Sequence, residues 1–304
     1  MKVKPYCGVC LLNRGIKEVE LATSDPDLQF KIVKELIKMF QEKFNENNIS
    51  AHIGTYRDRI IKKLSGCKDP YAEQKRLSNK IAVKFLPFLQ KKLNSLKDPY
   101  KRFRFAVLAS IVGNSIEFHI EDQKIELDSL EQLLKQSFEN AEKNLVKDDI
   151  QDLFNLLKSK KKVLYLTDNA GEIVFDYILI NELYKLNKEV IVAVKEKPVL
   201  NDATIEDAKA AGLLELSVKT NSKVKIITTG TDHVGIILSE TPKEFLEIFN
   251  KAELIIAKGM GYYESLSGEK LPTSIAYLFK IKCRSIAEEL KKKINDYVVL
   301  LKRI

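Results

Sequence analysis

The chain reads as an α/β protein, with a doubly wound, mostly parallel sheet in its second half and an N-terminal all-helical domain before it. Two observations predict this. Residues 1–155 carry apolar side chains at three- and four-residue spacing, the period of helices. Over residues 156–304, short β-branched runs alternate with helical ones, the pattern of a parallel sheet covered on both faces.

In the first half the helical stretches are "LQFKIVKELIKMFQEKF", "NKIAVKFLPFLQKKLNSL", "YKRFRFAVLASIVGNSIEF" and "LDSLEQLLKQSFENAEKNL". Turn signals such as "SDPD", "NENN" and "KDPY" separate them. In the second half "KVLYLT", "EVIVAVK", "KVKIITTG", "ELIIAKG", "IAYLFKI" and "YVVLL" read as strands, and "AGEIVFDYILINELYKL", "KEFLEIFNKA" and "RSIAEELKKK" as helices. Ligands of such sheets bind outside the carboxyl ends of the strands. The polar stretches that follow strands therefore carry the functional reading: "TDNAGE" (167–172), "KEKPVLNDAT" (195–204), "TGTDHVG" (229–235) and "KGMGYYES" (258–265).

Composition narrows the class. With 304 residues and 45% hydrophobic content the chain can bury a sizeable core. No run approaches the roughly 18 uncharged apolar residues of a membrane span, and "MKVKPYCGVC" lacks a signal-peptide core, so a cytoplasmic protein without a membrane partner is expected. Cys7, Cys10, Cys67 and Cys283 are too few for a secreted disulfide scaffold. The net charge of +9 invites a nucleic-acid partner, but 42 acidic residues are interspersed among 51 basic ones, as on solvated helix faces. No nucleic acid is expected, and the basic excess suits a small anionic substrate.

Asp168 and Asn169 place two hard oxygen donors at a strand end, and Asp202 adds a carboxylate from the next loop. Such a set suits Mg²⁺ or Mn²⁺ better than zinc. The common alternative is that Asp168 or Asn169 caps the helix starting near Gly171, and Asn201 or Asp202 the one containing "TIEDAKAAG". Gly171 opens a helix whose amides could face an anion, and Lys258 ends a strand where it could hold phosphate. No P-loop or dinucleotide fingerprint is present. Ala170, two positions after Asp168, leaves no paired aspartate for an aspartyl-phosphate mechanism, which favours attack by water activated at a metal. Asn114 and Glu117 share a helical face that could reach the crevice. Glu172 and Asp232 are candidate general bases. Cys7 and Cys10 form a CxxC that could be a redox pair, or half of a zinc knuckle needing two further ligands, for which Cys67 and Cys283 are the candidate thiols and His52, His119 and His233 the candidate nitrogen donors.

In chain order, "CGVCLLNR", "KDPYAEQK", "GNSIEF", "DNAGE", "KPVLND", "KGMGYYE" and "KCRSIAEEL" resemble the DUF89 family of metal-dependent damage-control phosphatases, in its CxxC-bearing, mainly archaeal subfamily. The resemblance implies a helical domain joined to a Rossmann-like α/β/α domain with one divalent ion, most often Mn²⁺, with Ni²⁺, Co²⁺ or Mg²⁺ as alternatives. It makes Asp168, Asn169 and Asp202 the metal ligands and Lys258 the phosphate ligand, and puts Asn114 and Glu117 near the substrate. It also implies hydrolysis of phosphate monoesters of small metabolites, oxidised purine nucleotides or related phosphates being suggested for this subfamily. This chain departs from a "KGQGN.E" pattern at Met260 and Tyr262, which puts the family substrate in doubt. The rival reading is a non-catalytic nucleotide- or nucleic-acid-binding protein.

Overall fold

The computed structural model describes residues 1–113 and 127–304. The opening helices are α1 (Cys7–Ala22), α2 (Pro26–Lys43), α3 (Ser50–Ser65), α4 (Ala72–Val83), α5 (Leu86–Ser95), α6 (Pro99–Val112) and α7 (Leu127–Lys143). Two of the turn signals in the sequence are helix starts. Asp25 accepts from Asp27 N at 3.0 Å ahead of Pro26, and Asp98 accepts from Lys101 N at 2.8 Å ahead of Pro99. Val19, Ile32, Leu36 and Ile61 are buried where α1, α2 and α3 meet.

The remainder runs β1 (Leu145–Asp148), α8 (Ile150–Leu157), β2 (Lys162–Leu166), α9 (Glu172–Lys185), β3 (Glu189–Val194), α10 (Ile205–Ala210), α11 (Leu213–Lys219) and β4 (Val224–Thr228). It ends with α12 (Lys243–Lys251), β5 (Leu254–Lys258), α13 (Gly259–Leu266), β6 (Ile275–Lys280), α14 (Arg284–Leu290) and β7 (Tyr297–Lys302). These strands form one seven-stranded sheet of order β1-β7-β6-β5-β2-β3-β4. Every pairing is parallel except β6 with β7. The chain is therefore an α/β protein with a mostly parallel sheet.

Burial on both faces explains why the central strands are apolar at consecutive positions. In β2, Val163 and Tyr165 face a core built with Ile173, Phe175 and Leu179 of α9, whereas Leu164 and Leu166 face one built with Phe249, Tyr262 and Leu266. Both faces are covered, so from Val163 to Leu166 every position is buried and apolar. Helix α6 is buried at Phe103 and from Ala106 to Val112, which accounts for its nearly continuous apolar sequence.

The structure departs from or adds to the sequence reading at two places. Strand β1 lies inside the stretch read as helical; "LVKD" is short and half exposed, giving no strand pattern, and it is held by pairing to β7 at the far end of the chain. "GMGYYESL", which the sequence marks only as a polar stretch following a strand, forms helix α13; Gly259 and Gly261 mask its helical character. No helix among the described residues is long and apolar enough to cross a membrane.

The α9 face is a stringent packing site. Phe175 is fully buried, its ring centroid 5.7 Å from that of Phe85. Phe175→Ala should lower unfolding free energy by about 3–5 kcal/mol in urea titration; a loss near zero would contradict this packing.

Candidate active site

Strand order puts β2 between β5 and β3. The chain moves outward from β2 through β3 to β4, then crosses over to β5 and continues the other way, so the loops diverge between β2 and β5 and leave a crevice at the carboxyl edge. Asp168 and Asn169 follow β2 directly. The loop after β3 is laced to them: Ala203 N donates to Asp168 O (2.7 Å), Ala170 N donates to Asn201 O (2.9 Å), and Asn169 and Asp202 form an antiparallel bridge. The three oxygen donors named from the sequence thus come together.

None of the four candidate caps is used as one. Helix α9 starts after Gly171 without a side-chain cap, and α10 is capped by Thr204 and Asp207, the Thr204 amide donating to Asp207 Oδ2 at 2.8 Å. Asp168 and Asp202 instead line a cavity of about 290 Å³, together with Asn169, Met260 and Gly261. Asp168 packs on the first residue of α13. A Cβ on Gly259 would lie 2.1 Å from Asp168 Cγ, and φ is +77° there, so only glycine fits.

Burial, with Glu172 and Asp202 close by, pushes Asp168 well above the usual carboxylate range. Burial likewise pushes Asp202 up to about 6, against the pull of Lys195, whose ammonium lies 3.5 Å away. A cation among these oxygens would relieve both penalties. The Asn169 amide nitrogen donates to Asp168 Oδ2 (2.6 Å) and Glu172 Oε2 (3.0 Å), so its oxygen is the atom that could serve as a ligand. The residues fit a hard divalent ion with water completing its shell. Among the described residues no group of three or more His, Cys, Asp and Glu could hold a metal, so such an ion depends on the asparagine.

Among the described residues, five cationic side chains line the same cavity: Arg14 and Lys17 from α1, Arg57 from α3, and Lys280 and Lys282 at the end of β6. Arg57 is fixed by Glu18 (3.1 Å) and by the Leu11 carbonyl (3.2 Å). Lys258 does not line it. Its buried ammonium donates to Ser110 O (2.8 Å), Asp176 Oδ1 (2.9 Å) and Glu172 Oε1. Burial alone would lower Lys258, but the two carboxylates outweigh it and hold the ammonium above its usual range.

The family model for the damage-control phosphatase ARMT1-like domain matches residues 3–298. The chain belongs to this family. It is 38% identical over 293 residues to a damage-control phosphatase of Pyrococcus horikoshii, covering 96% of this chain and 95% of that one. It is 35% identical over 298 residues to a damage-control phosphatase of Archaeoglobus fulgidus, covering 98% of each. The crystal structure of a DUF89 family protein from Pyrococcus horikoshii is similar throughout, with TM-score 0.87 and 37% identity over 99% of each chain.

Other candidate residues of this ARMT1-like chain are placed differently. The Gly171 amide donates to Asn79 Oδ1 at 2.7 Å, so it does not face the cavity as an anion donor. Asn114, Glu117 and His119 lie outside the described residues. Of the candidate bases, Glu172 is paired with Lys258, and Asp232 is paired with Arg59 at 2.6 Å; burial would raise Asp232, but Arg59 holds it below its usual range. Cys7 and Cys10 are free thiols near Cys283, whereas Cys67 is free elsewhere, which leaves the knuckle without its fourth thiol.

Lys195 was missed, although it follows an apolar strand just as Lys258 does. It is buried, donates to Gly235 O (2.7 Å) and Tyr262 OH (3.1 Å), and braces Asp202. Lys280 and Lys282 end a strand run in the same way. Arg57 sits inside the amphipathic helix "YRDRIIKK", where no local pattern marks it.

Two measurements probe this framework. Lys258→Met would leave Glu172 and Asp176 buried without their cation and should destabilise by about 3–5 kcal/mol in chemical denaturation; wild-type stability would refute the buried triad. Burial also pushes Glu18 up to about 8 against the pull of Arg57. A carboxyl raised by folding favours the protonated native state, so its contribution is complete below the unfolded pKa and is lost as pH rises through the folded one. The melting temperature should carry a decline between about pH 5 and pH 8 that Glu18→Gln flattens; an identical slope in the variant would contradict it.

Proposed function

We propose that the chain is a phosphatase that hydrolyses phosphate monoesters of small metabolites, with a divalent ion held by Asp168, Asn169 and Asp202. Mn²⁺ is the first choice, with Ni²⁺, Co²⁺ and Mg²⁺ as alternatives. One observation carries the reading: a buried carboxylate pair and an amide oxygen meet five cationic side chains across a single small cavity. Carboxylates alone would repel a phosphate, and cations alone would bind any anion. Together they suit a phosphoryl group bridging a metal and a basic wall. The names of the Pyrococcus and Archaeoglobus relatives support the same activity.

The ion would supply Lewis acidity toward a phosphoryl oxygen and toward water. The chain's own residues do the rest. Arg14, Arg57, Lys280 and Lys282 would neutralise the phosphoryl oxygens, and Arg57, already fixed by Glu18, would do so without reorganising. Lys258 and Glu172 orient the Asn169 amide from beneath, and Lys195 holds Asp202. Lys258 enters this scheme as a positioning residue. Glycine at 259 lets Asp168 sit at the first turn of α13.

The test is hydrolysis of p-nitrophenyl phosphate by metal-stripped protein, with each ion restored in turn. Wild type should regain turnover, and Asp202→Ala should lose at least about 100-fold while keeping its circular dichroism spectrum. Equal turnover in the variant, or turnover indifferent to metal, would sink the assignment. Metal-independent binding of nucleic acid that weakens steeply with salt would favour the rival reading.

A further inference from the structure

A second cavity of about 470 Å³ adjoins the first. The two share Arg14, Arg57, Met260 and Lys282 along their boundary, so they are parts of one crevice with unlike ends. The first end carries the carboxylates and most of the cations. The far end is walled by Cys7, Cys10 and Leu11 of α1, Ala51 and Gly54 of α3, and Cys283 ahead of α14. Of the charged groups at this end, Arg284 lies 4.4 Å over the Tyr6 ring and donates to Glu288 at 2.7 Å, and Glu264 accepts from Ser50 at 2.8 Å, while Arg14, Arg57 and Lys282 stand at the boundary with the first cavity.

Resting on the phosphatase reading above, we infer that this annex receives the leaving group of the substrate, and that the group is aromatic. Sugar hydroxyls placed at this far end would lose water with few partners among the described residues, which costs free energy for each hydroxyl left unpaired. A planar ring would instead gain apolar contact area and contact with the sulfurs of Met260, Cys7, Cys10 and Cys283. Hydrolysis breaks the ester P–O bond. Water gives its oxygen to phosphorus and a proton to the departing oxygen, so inorganic phosphate forms among the cations and the aromatic alcohol in the annex. The CxxC gains a role without a disulfide or a metal. Three residues apart on α1, Cys7 and Cys10 present to one cavity, with Cys7 Sγ fixed 3.1 Å from Ser285 Oγ.

The test compares phosphate esters of two primary alcohols, 2-naphthylmethyl phosphate and glucose 6-phosphate, on the Mn²⁺-loaded full chain, each rate taken over its own uncatalysed background. The naphthyl ester should have a kcat/KM at least about tenfold higher, and Cys10→Glu, a change at an exposed position, should cut that ratio at least about fivefold. Preference for the sugar ester, or a ratio unmoved by the variant, would overturn the inference. A second readout needs neither turnover nor a variant. Iodoacetamide alkylation of Cys10, followed by mass spectrometry, should slow with the non-hydrolysable 2-naphthylmethylphosphonate and not with inorganic phosphate. If no ester is hydrolysed with any ion, the phosphatase reading falls; protection of Cys10 would still support the annex as an aromatic site, and unprotected Cys10 would refute it.

Discussion

Much of the molecule is organised by one buried ammonium group. Lys258 ends β5 with its side chain sealed from water, a position tolerable only because Ser110 O, Glu172 and Asp176 surround it. Those partners come from α6 and α9, so a single cation fixes the end of a central strand against two helices of the layer above. Tyr165 on β2 joins by donating to Asp176 Oδ1 at 2.7 Å. The consequence reaches the crevice through Glu172, which also accepts from the Asn169 amide. The buried triad and the candidate ligand set form one connected network, and its geometry follows from packing rather than from loop preference.

The same logic explains which features the sequence could announce. Strands buried on both faces write themselves as unbroken apolar runs, and the polar stretches after them marked where a ligand would bind. "DN" and "ND" were legible because oxygen donors at strand ends have few uses. Choosing between metal ligand and helix cap required the structure, since Thr204 and Asp207 do the capping and Gly171 takes its support from Asn79, far away in the chain. Lys258 and Lys195 look alike in sequence as strand-end lysines, yet their partners arrive from elements that no local window contains. Arg57 gave no signal, because an arginine inside an amphipathic helix reads as a solvated face until Glu18 is found beside it.

The positive charge of the chain also acquires a location. Arg14, Lys17 and Arg57 descend from the N-terminal helices onto the edge of the sheet, while Lys280 and Lys282 rise from β6. Helices packed on a sheet this way supply what the strand ends lack: the sheet offers carboxylates, and the helices offer counter-charge and an apolar roof. Neither half holds a complete site by itself. The crevice exists because α1 and α3 cover the carboxyl ends of β2, β3 and β5.

The departure at Met260 and Tyr262 divides into two effects of different kinds. Tyr262 is buried, its ring 4.5 Å beneath the Lys195 ammonium and its hydroxyl accepting from it. It therefore acts on Asp202 through Lys195 and cannot touch a ligand in the cavity. Met260 lines both cavities at their junction. An amide there would present hydrogen-bonding groups to the substrate, whereas a thioether presents a polarisable apolar surface that adapts to the shape of its neighbour. One substitution is thus absorbed by the support of a ligand, and the other changes the chemistry of the wall where a phosphate ends and the rest of its ester begins.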